Sequence, residues 1–131
     1  MIAVDTSVVV RYLVGTPKAQ ARRATALIDG SPGVGIPVVA LIETAHVLRT
    51  QYGISRSDII DVLISLLTRE NVSVLGLPNA ATLEALVRAR SIVGAPLPDA
   101  LIAATARSSG ALPLYTFDNA MHLHGVAVAT P

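Results

Sequence analysis

The stretch Ile2-Ala-Val-Asp-Thr-Ser7 places three apolar residues ahead of an acid and two hydroxyls. An apolar run this short suits a buried strand, and an acid at its end suits the carboxyl edge of an open sheet, where such folds bind ligands. Similar runs recur at Val34–Ile36, between Gly33 and Pro37, at Val72–Leu75, at Leu114–Thr116 and at Val126–Val128. Between them lie helical patterns, so the strands pair in parallel through right-handed crossovers, and their apolar character requires cover on both faces. The expected fold class is α/β, a three-layer α/β/α sandwich around a mostly parallel sheet of about five strands.

The helices read outward from these strands. Val8–Val14 continues apolar to a stop at Gly15-Thr16-Pro17, and Ala19–Ile28 forms a helix ended by Gly30. From Val39 to Tyr52, Leu41, Ala45, Leu48 and Tyr52 trace one stripe, closed by Gly53. Ser55 and Asp58 make a capping box, with Asp in place of Glu, ahead of Ile60, Leu63, Ile64 and Leu67. Asn79 is placed to cap a helix running to Gly94, and Pro98 starts an Ala-rich helix that ends at Gly110.

The 131 residues suit one domain with one core. No apolar run reaches the roughly 18 residues of a membrane span. Met1–Ser7 lacks the basic leader of a signal peptide, so a cytoplasmic protein with no membrane partner is expected. The absence of Cys excludes disulfides, thiolate nucleophiles and zinc fingers. With 52% hydrophobic residues, the chain holds more apolar surface than one small core buries. Self-association or a partner interface is therefore expected, on the helices around Leu13–Ile28 and Ser55–Leu67.

Topology brings acids together. Asp5 and Asp118 both follow strands, and Asp99 lies in the first turn of a helix that must begin at the same sheet edge. Glu43, about one turn into its helix and opposite the Leu41 stripe, lies near that edge as well. Each acid alone has an ordinary use: Asp5 as an N-cap, Glu43 on a polar face with His46 and Thr50, Asp99 at a helix dipole, Asp118-Asn119 in a turn. Together, four carboxylates repel unless a cation neutralises them, and Mg²⁺ with oxygen ligands is the economical answer. Asp5, Asp99 and Asp118 are then direct ligands, with Glu43 a ligand or a water-orienting base. Setting these four aside leaves ten bases facing five acids, nine of the bases being Arg, whose forked donors suit phosphate. Arg11 and Arg49 are the candidates for holding phosphate. His46, His122 and His124 share no common spacing and are read as surface or packing residues.

Val4-Asp-Thr-Ser7, the Glu43 helix, Leu97-Pro-Asp-Ala-Leu-Ile-Ala-Ala-Thr-Ala106 and Tyr115-Thr-Phe-Asp118 together resemble the PIN-domain family, nearest its VapC-type toxins. The resemblance spans essentially the whole chain, as a single domain over residues 1–131. It implies an endoribonuclease dependent on Mg²⁺ or Mn²⁺, restrained by a VapB-type antitoxin and usually a homodimer, that acts on RNA to inhibit translation or growth. By motif match Asp5, Glu43, Asp99 and Asp118 carry over as the acidic quartet, and Thr6, Ser7 and Thr116 as supporting hydroxyls. One departure is that Asn119, Ala120 and Met121 follow Asp118 where many relatives have a further acid, which leaves open whether the site takes one ion or two.

Rival readings fit less well. A Mg²⁺-binding receiver domain needs paired acids after its first strand and a late Lys, but the one Lys here is Lys18. A phosphatase of the haloacid type requires an acid at Ser7. No Gly-x-Ser-x-Gly or P-loop run occurs. A PIN-fold binding module with weak catalysis is the remaining alternative, against which the four retained acids weigh.

Overall fold

The computed structural model describes residues 1–94 and 96–131. In chain order the elements are β1 (Ile2–Val4), α1 (Thr6–Val14), α2 (Lys18–Gly30), β2 (Val34–Pro37), α3 (Val38–Thr50), α4 (Arg56–Leu67), β3 (Val72–Leu75), α5 (Asn79–Ala89), α6 (Leu97–Ser108), β4 (Leu114–Tyr115), a 3₁₀ segment (Asn119–His124) and β5 (Val128–Ala129). The five strands form one sheet in the order β3-β2-β1-β4-β5, every pair parallel. The expected α/β sandwich is thus observed, with a sheet that is wholly parallel.

That order contains one reversal. From β1 the chain winds outward through β2 to β3, then crosses back to place β4 on the other side of β1. The connections leaving β1 and β4 therefore diverge, and the crevice between them opens at the carboxyl edge. Register fixes what faces it: Val4 pairs with Tyr115, and the Asp5 amide donates to the Tyr115 carbonyl at 3.1 Å, extending the ladder one step past β1.

The core explains why these segments hold. Val4, Val8, Val9, Ile28, Val34, Ile36, Ile102 and Leu114 are fully buried, joining β1, β2 and β4 to α1, α2 and α6. α6 is buried along Ala100, Ile102, Ala103, Ala104, Thr105 and Ala106, and this small-residue face lets its backbone lie close to the sheet. Val8–Val14 proves to be the body of α1, begun by Asp5 as N-cap and stopped by Gly15 in the left-handed region, φ 81°. Asn71 locks the far side, its amide donating to the carbonyls of Ile28 (2.7 Å) and Ser31 (2.9 Å).

Several boundaries differ from the sequence reading. Asn79 is the first residue of α5 and caps nothing; Pro78 holds the N-cap position. That helix ends at Ala89, where tight bonds from the Ser91 and Ile92 amides to Arg88 and Ala89 replace the α pattern well before Gly94. α6 begins at Leu97, one residue ahead of Pro98. The last strand lies at Val128–Ala129 because its register is set by Leu114 and Tyr115 across the ladder. Cover on both faces also fails at the edge, where Ser73 and Val74 of β3 are exposed.

The expected apolar surface is present but partly relocated. α4 exposes Ile60 and Ile64, α3 exposes Ile42, and α5 exposes Leu83, Leu86 and Val87, whereas α2 contributes no large exposed apolar side chain among the described residues. No described helix is long and apolar enough to cross a membrane.

Gly35 in β2 tests the tightness of this packing. A Cβ there would stand 2.5 Å from Leu75 Cδ1 and 2.8 Å from its Cγ. Gly35→Ala should therefore cost about 1–3 kcal/mol in urea denaturation, as overpacking does. Adding Leu75→Ala should recover part of that loss, and strictly additive effects would contradict the contact.

Candidate active site

The crevice at the β1–β4 reversal is a cleft of about 320 Å³ whose lining includes Asp5, Glu43, Asp99 and Asp118. Each acid comes from a different connection. Asp5 ends β1, Glu43 projects from α3 directly after β2, Asp99 sits in the first turn of α6, and Asp118 follows β4. Asp5 is buried, Glu43 and Asp99 are half-buried, and Asp118 is exposed, so the acids run from the floor of the cleft to its rim.

Hydroxyls orient the floor. Ser7 Oγ donates to Asp5 Oδ1 at 2.6 Å and accepts from the Phe117 amide at 3.0 Å, tying the end of β1 to the loop after β4. Asp5 Oδ1 also accepts the Val8 amide at 3.2 Å, so this residue caps α1 as well as facing the cleft. Thr116, itself buried, accepts from the Asp118 amide at 2.8 Å. Asp118 Oδ1 in turn takes the Ala120 amide at 2.9 Å, which starts the 3₁₀ segment. Thr6 Oγ1 donates to Glu43 Oε1, and this bond between α1 and α3 settles the position that helix phase left least secure.

The electrostatics reflect burial first and crowding of like charge second. Asp99 is pushed up to about 6, first by burial and then by the charges of Glu43, Asp118 and Asp5. Burial also raises Asp5, opposed by hydrogen bonding from Ser7, Thr116 and the Val8 amide. The donor set is oxygen throughout, which suits a hard divalent cation. Yet among the described residues no three acids or imidazoles stand close enough together to close on a metal ion. The two observations are compatible: the acids share one cleft and feel each other's charge, while three of them are turned to Ser7, Thr6 and Ala120.

The basic residues separate. Arg11 lines the cleft, held by Nη1 to the Ser7 carbonyl at 3.0 Å and by Nε to Gln20 Oε1, with its guanidinium 4.9 Å from the centre of the Phe117 ring. Arg49 lies elsewhere, in a groove with His46, Arg56, Ile59 and Leu63 between α3 and α4. Six residues at 100° each carry it well round the helix from Glu43. No His lines the cleft. Sequence reasoning missed Gln20 and Phe117, and also Gln51 and Tyr52, which close the cleft from the end of α3. The available signal was Phe117, the single Phe of the chain, inside the Tyr115–Asp118 motif.

A family model for the PIN domain matches residues 2–126. No curated protein matches at the level of sequence. Among solved structures, the chain is similar to Mycobacterium tuberculosis VapC20, described as a Sarcin-Ricin loop cleaving toxin, at 26% identity and TM-score 0.77, each chain covered in full. A toxin-antitoxin complex from Klebsiella pneumoniae gives 22% identity and TM-score 0.71, covering 99% of this chain and 97% of that one. VapBC2 from Rickettsia felis, bound to a DNA fragment from its promoter, gives 15% identity and TM-score 0.73, covering 99% and 98%.

The raised Asp99 has a measurable sign. Its carboxyl titrates near 6 in the folded chain against 3.8 for the ordinary group, so the folded state binds more protons between those values and stability falls as pH rises through them. Metal-free Asp99→Asn should be more stable than the parent at pH 7 by roughly 1–2 kcal/mol, an isolated shift of this size being reduced by solvent screening. The two should converge below about pH 4. Denaturation in chelator across this range decides it; a parent at least as stable as Asp99→Asn at pH 7 would remove the account of Asp99 as a carboxyl raised by burial and neighbouring charge.

Proposed function

The chain belongs to the PIN domain family, and on that premise we propose that it is a metal-dependent endoribonuclease, the toxin of a VapBC-type toxin-antitoxin pair. The observation that carries this reading is the convergence of Asp5, Glu43, Asp99 and Asp118, from four separate connections, on one cleft at the sheet reversal. The match to VapC20 supports RNA as substrate, and the toxin-antitoxin complexes support a VapB-type antitoxin as partner.

Asp5, Asp99 and Asp118 would hold Mg²⁺ or Mn²⁺, with Glu43 as a further ligand or as the base that orients the attacking water. A divalent cation in such a site supplies charge neutralisation at the scissile phosphate and makes water more acidic. Ser7 keeps one oxygen of Asp5 in place, and Thr116 fixes the loop that presents Asp118. Thr6 restrains Glu43 against swinging out of the cleft. Arg11, immobilised by Ser7, Gln20 and Phe117, offers a fixed cation to the phosphate flanking the cut. The chain acts as a homodimer in the cytoplasm, and its exposed apolar residues on α4 and α5 are available for that contact and for the antitoxin.

Purified protein should cleave RNA with Mg²⁺ or Mn²⁺ and stop on chelation. Asp5→Asn and Asp99→Asn should each lower the rate by at least about a hundredfold, since even outer partners of metal ligands cost up to that much. Both variants should still fold by circular dichroism. Undiminished cleavage by them would reject the metal site, and metal-independent binding without cleavage would favour the binding-module reading. Expression of the chain should arrest growth, and co-expression of its antitoxin should restore it; harmless expression of an active nuclease would reject the toxin role alone.

A further inference from the structure

Two arginines gather on one aromatic ring beside the acidic cleft. The Arg11 guanidinium lies 4.9 Å and that of Arg23 lies 5.5 Å from the centre of the Phe117 ring, both within cation–π range. Gln20 and Arg23 are three residues apart on α2 and so share a face, one holding the Arg11 fork and the other reaching the same ring. Phe117 is itself fixed through its amide to Ser7, the residue that orients Asp5.

No acid compensates this pair. The ion pair among the described residues is Arg69 with Asp29 on the far side of α2; Arg11 and Arg23 have no carboxylate within salt-bridge distance. Arg11 does this while lining a cleft that holds four acids. Its fork is turned to Gln20 and the ring instead of collapsing onto the acids, which keeps them free for a cation and keeps a positive pair free for an anion. Two guanidiniums within reach of one ring and without a carboxylate partner leave donors for an anion, and their planar forks suit a phosphodiester. Arg23 is exposed and outside the cleft, so the positive path leads away from it across Phe117 to α2.

We infer that Arg11, Phe117 and Arg23 form a subsite for the backbone of single-stranded RNA, which the strand enters or leaves by passing from the acidic cleft over Phe117 onto the face of α2. The inference rests on the nuclease reading for the identity of the strand and deepens it by giving the strand a direction. The geometry selects Arg23, not its equally charged neighbour Arg22, which lies in a separate groove with Lys18 and Asp29.

The test is fluorescence anisotropy of a labelled single-stranded RNA oligonucleotide in chelator, over a salt series, alongside cleavage kinetics in Mn²⁺. Arg23→Ala should bind roughly three- to tenfold more weakly and lower the salt slope by about 0.7, the value of one phosphate contact on a single strand. In cleavage it should raise KM and leave kcat close to the parent's. Arg22→Ala, with the same change in net charge, should match the parent in both. Equal weakening by the two variants, or none by Arg23→Ala, overturns the subsite. So does a preference of the parent for polyglutamate over RNA that depends on Arg23, which would assign the pair to an acidic protein partner. Arg23-dependent RNA binding in a parent that cuts nothing would reject the nuclease reading while leaving the subsite standing.

Discussion

The parallel pairing of β1 with β4 is the contact on which the rest of this molecule depends. It makes the sheet reverse direction, and it carries the ladder one residue beyond β1 so that Asp5 lies beside the exit of β4. Without it, the loop bearing Thr116, Phe117 and Asp118 has no fixed relation to Asp5. Ser7 reinforces the same junction: its single proton goes to Asp5 and its oxygen accepts the Phe117 amide. A strand pair of only two registered steps is weak by itself, and the buried helices α1 and α6 against it provide the stability it lacks.

The placement of charge follows from this frame. Burial, and after it the charges of Glu43, Asp118 and Asp5, hold Asp99 above the usual carboxylate range, while the acids as a group are distributed from buried floor to wet rim. The opposing cations are kept apart by uncharged partners. Gln20 and Phe117 occupy Arg11 without neutralising it, so positive and negative groups face one space without cancelling. This division suits a ligand that is itself divided into a cation and a polyanion.

Much of the arrangement was legible in the residues. β1, β2 and β3 are apolar runs bounded by turn formers, and α4 declares itself through Ser55, whose hydroxyl accepts the Asp58 amide at 3.2 Å. Asp5, Asp99 and Asp118 followed from strand order alone, because parallel crossovers force all their elements to begin or end at one edge. What escaped was set by distant partners. β5 takes its register from Leu114 and Tyr115, against the pull of its own Val126. Phe117 meets Ser7, Arg11 and Arg23 across about ninety or more residues of chain, and no local periodicity records such a meeting. Arg49, a candidate for phosphate in the sequence, lies in another groove, because helix phase turns it away from Glu43.

The central position of β1 also has a meaning in time. Chains emerge from the ribosome amino end first. The strand bearing Asp5 is therefore made before both of its neighbours in the sheet, β2 and β4, and β4 follows it by more than a hundred residues. Asp118 is later still. The four acids of the cleft are therefore complete only once Asp118 has followed β4, and any shorter nascent chain lacks part of the site.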